Sequence, residues 1–337
     1  MPLSPQELRT AHFKASAGYG MMGLTVGPNS APKEIAFEAI DKAIELNESP
    51  VLLNVGEFYG PNFANLRLAR EYFHSRPGVR EKVIVSCKGC YDIATFTPMG
   101  DRASVIESVE NCVREIGGFI DIFEPARLDV ELAGSSAFPA ETFDTLVELV
   151  QKGIIGAISL SEVDAGQIAA IDDQYHDYIA CVEVELSLFS PQILSDGVAE
   201  ACSARGLPIL CYSPLGRGLL TGSIKSAKDL QDGDYRKMFK RFSSEALEHN
   251  LQLPKFLQDE IIAKRKDSIT LPQVALAWIV SLNSKYPGTK FIPLPGGSSA
   301  RRVQENFTLQ HLSESELQRI NSFVEGFKTA GDRYETV

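Results

Sequence analysis

Eight short β-branched runs alternate with amphipathic helical stretches, and no Pro-, Gly- or Ser-rich linker divides them. Together these observations predict a closed (β/α)8 barrel, the TIM-barrel class, as a single domain over residues 1–337. The 337 residues suit one large barrel or two average domains, and 44% hydrophobic content against 23% charged supplies a large core. The competing architecture is a doubly wound open sheet with a second domain.

In chain order, the first strand is expected in "FKASAGY", residues 13–19. It runs into "GYGMMG", which satisfies GxGxxG but continues as "LTVGPNSAP", a stretch unable to open the helix that a dinucleotide fingerprint requires. The second strand is "VLLNV" and the third "VIVSCK"; both are apolar almost throughout, as strands covered on two faces are. In "ASVIESVENCVREIGG" the residues Val105, Val109, Cys112 and Ile116 share one helical face. The fourth strand, "IDIFE", precedes "ETFDTLVELVQKG", where Phe143, Leu146, Val147 and Val150 form a face and Gly153 suits the stop. "IGAISLS", "CVEVELSL" and "PILCYS" give strands five to seven. Residues 217–270 then read as a long loop and helix insertion between strands seven and eight, with the basic stretch "YRKMFKRF". "FIPLP" is the eighth strand, and Ser313 with Glu316 in "LSESEL" forms a capping box for a last helix.

Composition narrows the function classes. A formal charge of −11 repels phosphate backbones, so nucleic acid is not an expected partner and an anionic ligand needs a local basic cluster. No apolar run is long enough to span a bilayer. The start has no apolar signal segment, and six cysteines in mainly apolar surroundings read as reduced thiols, so a cytoplasmic, membrane-free protein is expected.

In a barrel of this class, chemistry gathers where the strands end. Those ends offer Met22; then Asn54, Glu57 and Tyr59; Lys88; Glu124, Ala126 and Arg127; Ser161 and Glu162; Glu183 and Glu185; Tyr212, Ser213 and Arg217; and finally "PGGSSARRVQEN". None of the five histidines falls there, which leaves no Ser-His-Asp, HExxH or Cys-His arrangement. Cys87 and Cys90 flank Lys88 at a strand end rather than opening a helix, so a redox or zinc CxxC lacks its context. A tyrosine and a lysine on neighbouring strands remain. An ammonium stabilises a phenolate and makes the phenol a usable proton donor to a carbonyl that receives hydride. Hydride implies a nicotinamide cofactor. The alternative is an exposed aromatic beside a solvated cation.

The segments "NVGEFYG", "SCKG", "DIFEPAR", "ISLSEV", "VEVELSLFS", "CYSPLGRGLLTG", "FIPLPGGSS" and "GDRYE" cover nearly the whole chain. With them the sequence resembles the aldo-keto reductases, and within these the fungal pyridoxal reductases (pyridoxine 4-dehydrogenases). The resemblance implies an NADPH-dependent reductase taking a small aldehyde, pyridoxal foremost, with Tyr59 as proton donor and Lys88 as its partner. Asn54 stands where the family has an aspartate, and Ala126 where it has a histidine. Glu57 is then expected to supply the missing carboxylate, and Met22, Glu57, Ala126 and Arg127 to line the substrate pocket, with Asn54 or Arg127 meeting a ring hydroxyl. The same correspondence puts Tyr212 on the nicotinamide, and Ser161, Glu162 and Glu183 near its carboxamide. Ser213, Leu215 and Arg217 would line the pyrophosphate, and Gly296, Ser298, Arg302, Glu305 and Asn306 the 2′-phosphate, while Arg241 would help close a lid. Arg301 and Arg302 at a helix start agree with an anion site. Two rivals stay open: a cofactor-binding regulatory protein like the potassium-channel β-subunits of this fold, and a barrel aldolase with Lys88 as Schiff-base residue.

Overall fold

The structure is a computed structural model that describes residues 3–28, 30–47 and 50–334, with Phe13 described by its backbone only. Eight parallel strands follow one another in chain order: β1 (Tyr19–Gly20), β2 (Val51–Gly56), β3 (Val83–Gly89), β4 (Ile120–Pro125), β5 (Ile155–Ser161), β6 (Ile179–Glu185), β7 (Ile209–Tyr212) and β8 (Phe291–Leu294). The ring closes through backbone bonds from Gly18 N to Pro293 O (3.0 Å) and from Gly20 N to Pro295 O (3.1 Å). Among the described residues the eight-stranded ring has no open edge of the kind a doubly wound sheet leaves.

One departure from the sequence reading lies at the start. Phe13 and Lys14 end helix α1 (Pro5–Lys14), and the first strand is confined to Tyr19–Gly20. Ser4 and Glu7 form a capping box, and Pro5 takes the first helical position, where its missing N–H costs nothing. The helix lies under the barrel, where Leu8 and Ala15 join the interior core and the Arg9 Nε donates to Ile179 O, at the start of β6, over 2.6 Å.

Around the ring run α2 (Lys33–Glu45), α3 (Ala64–Ser75), α4 (Arg102–Ile116), α5 (Ala140–Gln151), α6 (Ala165–Tyr175), α7 (Val198–Arg205), α8 (Leu271–Ser281), α9 (Ala300–Phe307) and α10 (Glu314–Gly326). The α4 face of Val105, Val109, Cys112 and Ile116 is buried, and Asp101 caps it through the amides of Ala103 and Ser104. The capping box expected at Ser313 and Glu316 starts α10. Between β7 and α8 the insertion is built of 3-10 turns and the short helices Ser244–Asn250 and Gln252–Phe256.

The barrel interior explains the site's position. Leu52, Ile84, Ile122, Ala157, Cys181, Leu210 and Ile292 form one apolar layer inside the ring. Side chains two places further along a strand return to the same face. That step reads Asn54, Ser86, Glu124, Ser159, Glu183, Tyr212 and Leu294. An apolar plug therefore carries a mainly polar layer directly above it, towards the strand ends. From there a C-terminal tail crosses the mouth. The hydroxyl of Thr329 donates to Phe189 O (2.9 Å), Ala330 N donates to Asn250 Oδ1 (2.8 Å), and Arg241 Nε donates to Gly331 O (3.2 Å).

Candidate active site

Tyr59 and Lys88 come together because β2 and β3 are in register. Gly56 pairs with Lys88, and a turn after Gly56 folds Tyr59 back, with Tyr59 N donating to Gly56 O over 3.3 Å. Gly56 permits this close approach, since a Cβ there would sit 2.8 Å from the Tyr59 ring. Tyr59 is 9% exposed and Lys88 6%. Burial pushes the Tyr59 phenol above its ordinary value; the charge of Lys88 opposes the rise, and Glu183 and Glu124 add to it. The sequence argument had the ammonium dominating. Inside the barrel, burial wins and the phenol stays a neutral acid.

Lys88 is not a lone cation. Register places Glu124 of β4 beside it. Its Nζ lies 2.5 Å from Glu124 Oε1 and 2.9 Å from Glu183 Oε1, the latter an ion pair outside hydrogen-bond angles, and both carboxylates are fully buried. Ser159 Oγ donates to Glu124 Oε2 (2.6 Å), and Asn54 Nδ2 donates to Glu183 Oε2 (2.7 Å). Burial works against the Lys88 ammonium, but Glu124 and Glu183 outweigh it and hold the group well above its ordinary range. Burial and then Glu124 push the Glu183 carboxyl up to about 8, against the pull of Lys88. An isolated charge at such a depth would be expensive; here each is paired and hydrogen-bonded.

Three expectations change as a result. Glu57 is not the carboxylate at Lys88; it accepts from Ser108 Oγ (2.5 Å), and burial raises its pKa. Asn54, expected at a substrate hydroxyl, donates through Nδ2 to Glu183. Glu183, expected only near a carboxamide, pairs with Lys88 inside the barrel. The surrounding places are as follows. Met22 is half-buried at a 3-10 turn after β1, and Ala126 is buried with its N–H on Gly89 O (3.0 Å). The Arg127 Nη1 donates to Ala126 O (2.5 Å), and its guanidinium lies 5.1 Å from the Tyr334 ring centroid.

The rim groups fall in two places. Ser161, at the end of β5, is 1% exposed, and its Oγ has no hydrogen-bond partner among the described residues. Glu162 and Tyr212 are held by the tail instead. Arg333 pairs with Glu162 and donates to the Tyr212 hydroxyl (3.0 Å) and Glu185 Oε2 (3.0 Å), while the Tyr334 hydroxyl bonds to that of Tyr212. Lys88 Nζ lies 5.2 Å from the Tyr212 ring centroid. Arg217, past Ser213 and Leu215, is in the left-handed region at φ 54°, with its guanidinium 4.9 Å from the Tyr334 ring and Nη2 3.4 Å from Glu185 Oε2. Arg241, expected to help close a lid, is 5% exposed and bonds Ser190 Oγ (3.1 Å) as well as Gly331 O of the tail.

Beyond β8, Ser299 caps α9, and the Asn306 Nδ2 donates to Gly296 O (2.7 Å), folding the Gly296–Ser298 turn onto the helix start. Arg301 and Arg302 are exposed there and unpaired among the described residues; Glu305 is half-buried one turn on. Two free guanidinium groups, helix-start amides and the orphaned Ser161 hydroxyl fit a dinucleotide laid across the rim. The thiols do not compete for chemistry: burial pushes Cys90 up to about 12.

Comparison with known proteins gives this arrangement a family. The Aldo/keto reductase family profile matches residues 17–325. The chain belongs to the aldo/keto reductase family. This aldo/keto reductase is an oxidoreductase. It is 48% identical over 343 residues to a Saccharomyces cerevisiae protein named "Putative pyridoxal reductase", covering 99% of each chain. It is 34% identical to the "Probable pyridoxal reductase 2" of Schizosaccharomyces pombe, covering 94% of this chain and 93% of that protein. A third relative, the S. pombe "Aldo-keto reductase yakc [NADP(+)]", is 28% identical over 94% of this chain and 90% of its own length. Among solved structures, the holo form of AKR11C1 from Bacillus halodurans superposes with a TM-score of 0.68 at 18% identity, over 95% of this chain and 94% of that one, a likeness of fold.

Sequence reasoning placed Glu124 and Glu185 at strand ends but gave them no partner, and it missed Ser159 as a contact and Arg333 and Tyr334 as the cover. A signal existed for the first. An acid inside a strand buried on both faces, as in "IDIFEPA", needs a buried cation, and Lys88 is the lysine among the strand-end residues.

Proposed function

We propose that this aldo/keto reductase reduces pyridoxal to pyridoxine with NADPH, Tyr59 giving the proton and Lys88 supporting it. The observation that carries the reading is the 48% identity, over the whole chain, to a relative named a pyridoxal reductase. The Tyr59–Lys88 pair supplies chemistry suited to that reaction.

Ser161, Arg217, the Gly296–Ser298 turn and Arg302 would hold the dinucleotide, with Tyr212 against its nicotinamide. Bound there, NADPH supplies hydride to the aldehyde carbon. The carbonyl oxygen gathers negative charge as this happens, and the Tyr59 O–H bond breaks as its proton moves to that oxygen. A weakly acidic phenol suffices, because an alkoxide is a stronger base than a phenolate. The phenolate left behind sits near the Lys88 ammonium and later regains a proton from water. Ala126 leaves space where a histidine would stand, which suits a flat, substituted ring. Lys88 as a Schiff-base residue is disfavoured: an amine held as ammonium against Glu124 and Glu183 is not a nucleophile.

The test is NADPH oxidation by the purified protein with pyridoxal beside a panel of other aldehydes, and NADH in parallel. Preferential turnover of pyridoxal with NADPH supports the reading. Tight NADPH binding without turnover of any aldehyde would leave a regulatory protein in its place.

A further inference from the structure

Asn54 occupies the sequence position from which this family's aspartate would face the lysine, yet it makes its bond to Glu183, and Lys88 finds its shortest contact on another strand. Glu124 comes from β4. It accepts from Lys88 Nζ at 2.5 Å and from Ser159 Oγ at 2.6 Å, and it is fully buried. Both carboxylate oxygens are thus fixed by donors from the strands on either side, β3 and β5. Glu183, on β6, is the further partner at 2.9 Å.

We propose that Glu124 is a positioning residue for the reduction, a carboxylate that fixes the Lys88 ammonium and sets how much of its charge reaches Tyr59. This rests on the reading of Tyr59 as proton donor. The argument is one of charge balance. One ammonium faces two carboxyl groups and one phenol. When Tyr59 gives up its proton, a negative charge appears on the phenolate, and only the uncompensated part of the Lys88 charge can stabilise it. A carboxylate 2.5 Å from Nζ removes part of that charge. It also keeps the phenol protonated when the aldehyde arrives. Glu124 therefore trades strength of the acid for certainty that the proton is present. The groups facing this centre are Tyr59 from the β2 loop, Glu124 from β4, Cys181 and Glu183 from β6, Tyr212 from β7 and Tyr334 from the tail. Of these, Glu124 has the shortest contact with the ammonium.

The experiment measures kcat for pyridoxal reduction against pH in the full-length protein, for wild type, Glu124→Gln, Glu124→Asp and Tyr59→Phe. NADPH affinity by fluorescence and melting temperature are read on each. Glu124→Gln removes a negative charge beside Lys88, so Tyr59 ionises more readily. The high-pH fall in kcat should move towards acid by about 1–3 pH units, while NADPH affinity holds. Glu124→Asp keeps the charge but withdraws it, and should move the fall less far in the same direction. If Glu124→Gln does not fold, Glu124→Asp decides alone. A folded variant whose pH profile overlays wild type overturns the proposal while a dead Tyr59→Phe leaves the proton-donor reading standing. Full turnover in Tyr59→Phe overturns that reading, and the proposal with it.

Discussion

At the scale of single residues, the sharpest expectation concerns Tyr59. Its phenol is the neutral acid next to the family's lysine, so Tyr59→Phe should lower kcat by about 10²–10⁴-fold, with NADPH affinity nearly unchanged in a fluorescence titration. A second expectation concerns stability. His12 is 1% exposed, and neither ring nitrogen has a partner among the described residues. Burial pushes its pKa down to about 4. The folded protein thus keeps His12 neutral, whereas an unfolded chain protonates it below about 6.5. Its contribution to stability falls as pH drops from about 6.5 towards 4, by a total of about 3 kcal/mol. His12→Leu should lose less stability over that window in urea unfolding, and an equal loss in both proteins would refute the assignment.

At the scale of elements, β2 and its following turn aim the phenol. A methyl at position 56 would meet the Tyr59 ring at 2.8 Å, so the ring must move. Displacement of a catalytic group by about 1 Å costs up to 10²-fold. Gly56→Ala should therefore show a kcat/KM loss on that scale, with a lowered melting temperature beside it; retained activity would mean that the ring has room. The elements themselves were mostly readable in the sequence. Strands covered on both faces write themselves as unbroken apolar runs, and the α4 face repeats at helical spacing; in α5 the buried face is Thr142, Phe143, Thr145, Leu146 and Leu149, and the expected Val147 and Val150 are only partly buried. The first strand was not readable, because "SPQE" starts a helix that consumes Phe13 and Lys14. The strand-end method found Asn54, Tyr59 and Lys88. It placed Glu124 at a strand end without pairing it to Lys88: the buried acid called for a cation, and the register between β3 and β4 sets which one it meets.

At the scale of the whole molecule, distant parts of the chain converge on the mouth. The tail brings Arg333 onto Glu162, Glu185 and the Tyr212 hydroxyl, across more than a hundred residues of sequence. The motif "GDRYE" was legible as a resemblance, its position over the mouth was not, and its last residue, Glu335, lies outside the described residues. Arg333 holds groups that the proposed nicotinamide site would use. Arg333→Met should therefore raise the rate of NADPH association in stopped-flow fluorescence; an unchanged or slower rate would mean that the tail assists entry instead.

The paired carboxylates around Lys88 have one more consequence. Aldehydes condense with free amines, and a catalyst that places an aldehyde beside its own lysine risks self-inactivation with every substrate molecule. Clamped as an ammonium, Lys88 has no lone pair to offer. The same ion pairs that order the barrel's interior thus spare the protein from being consumed by what it processes.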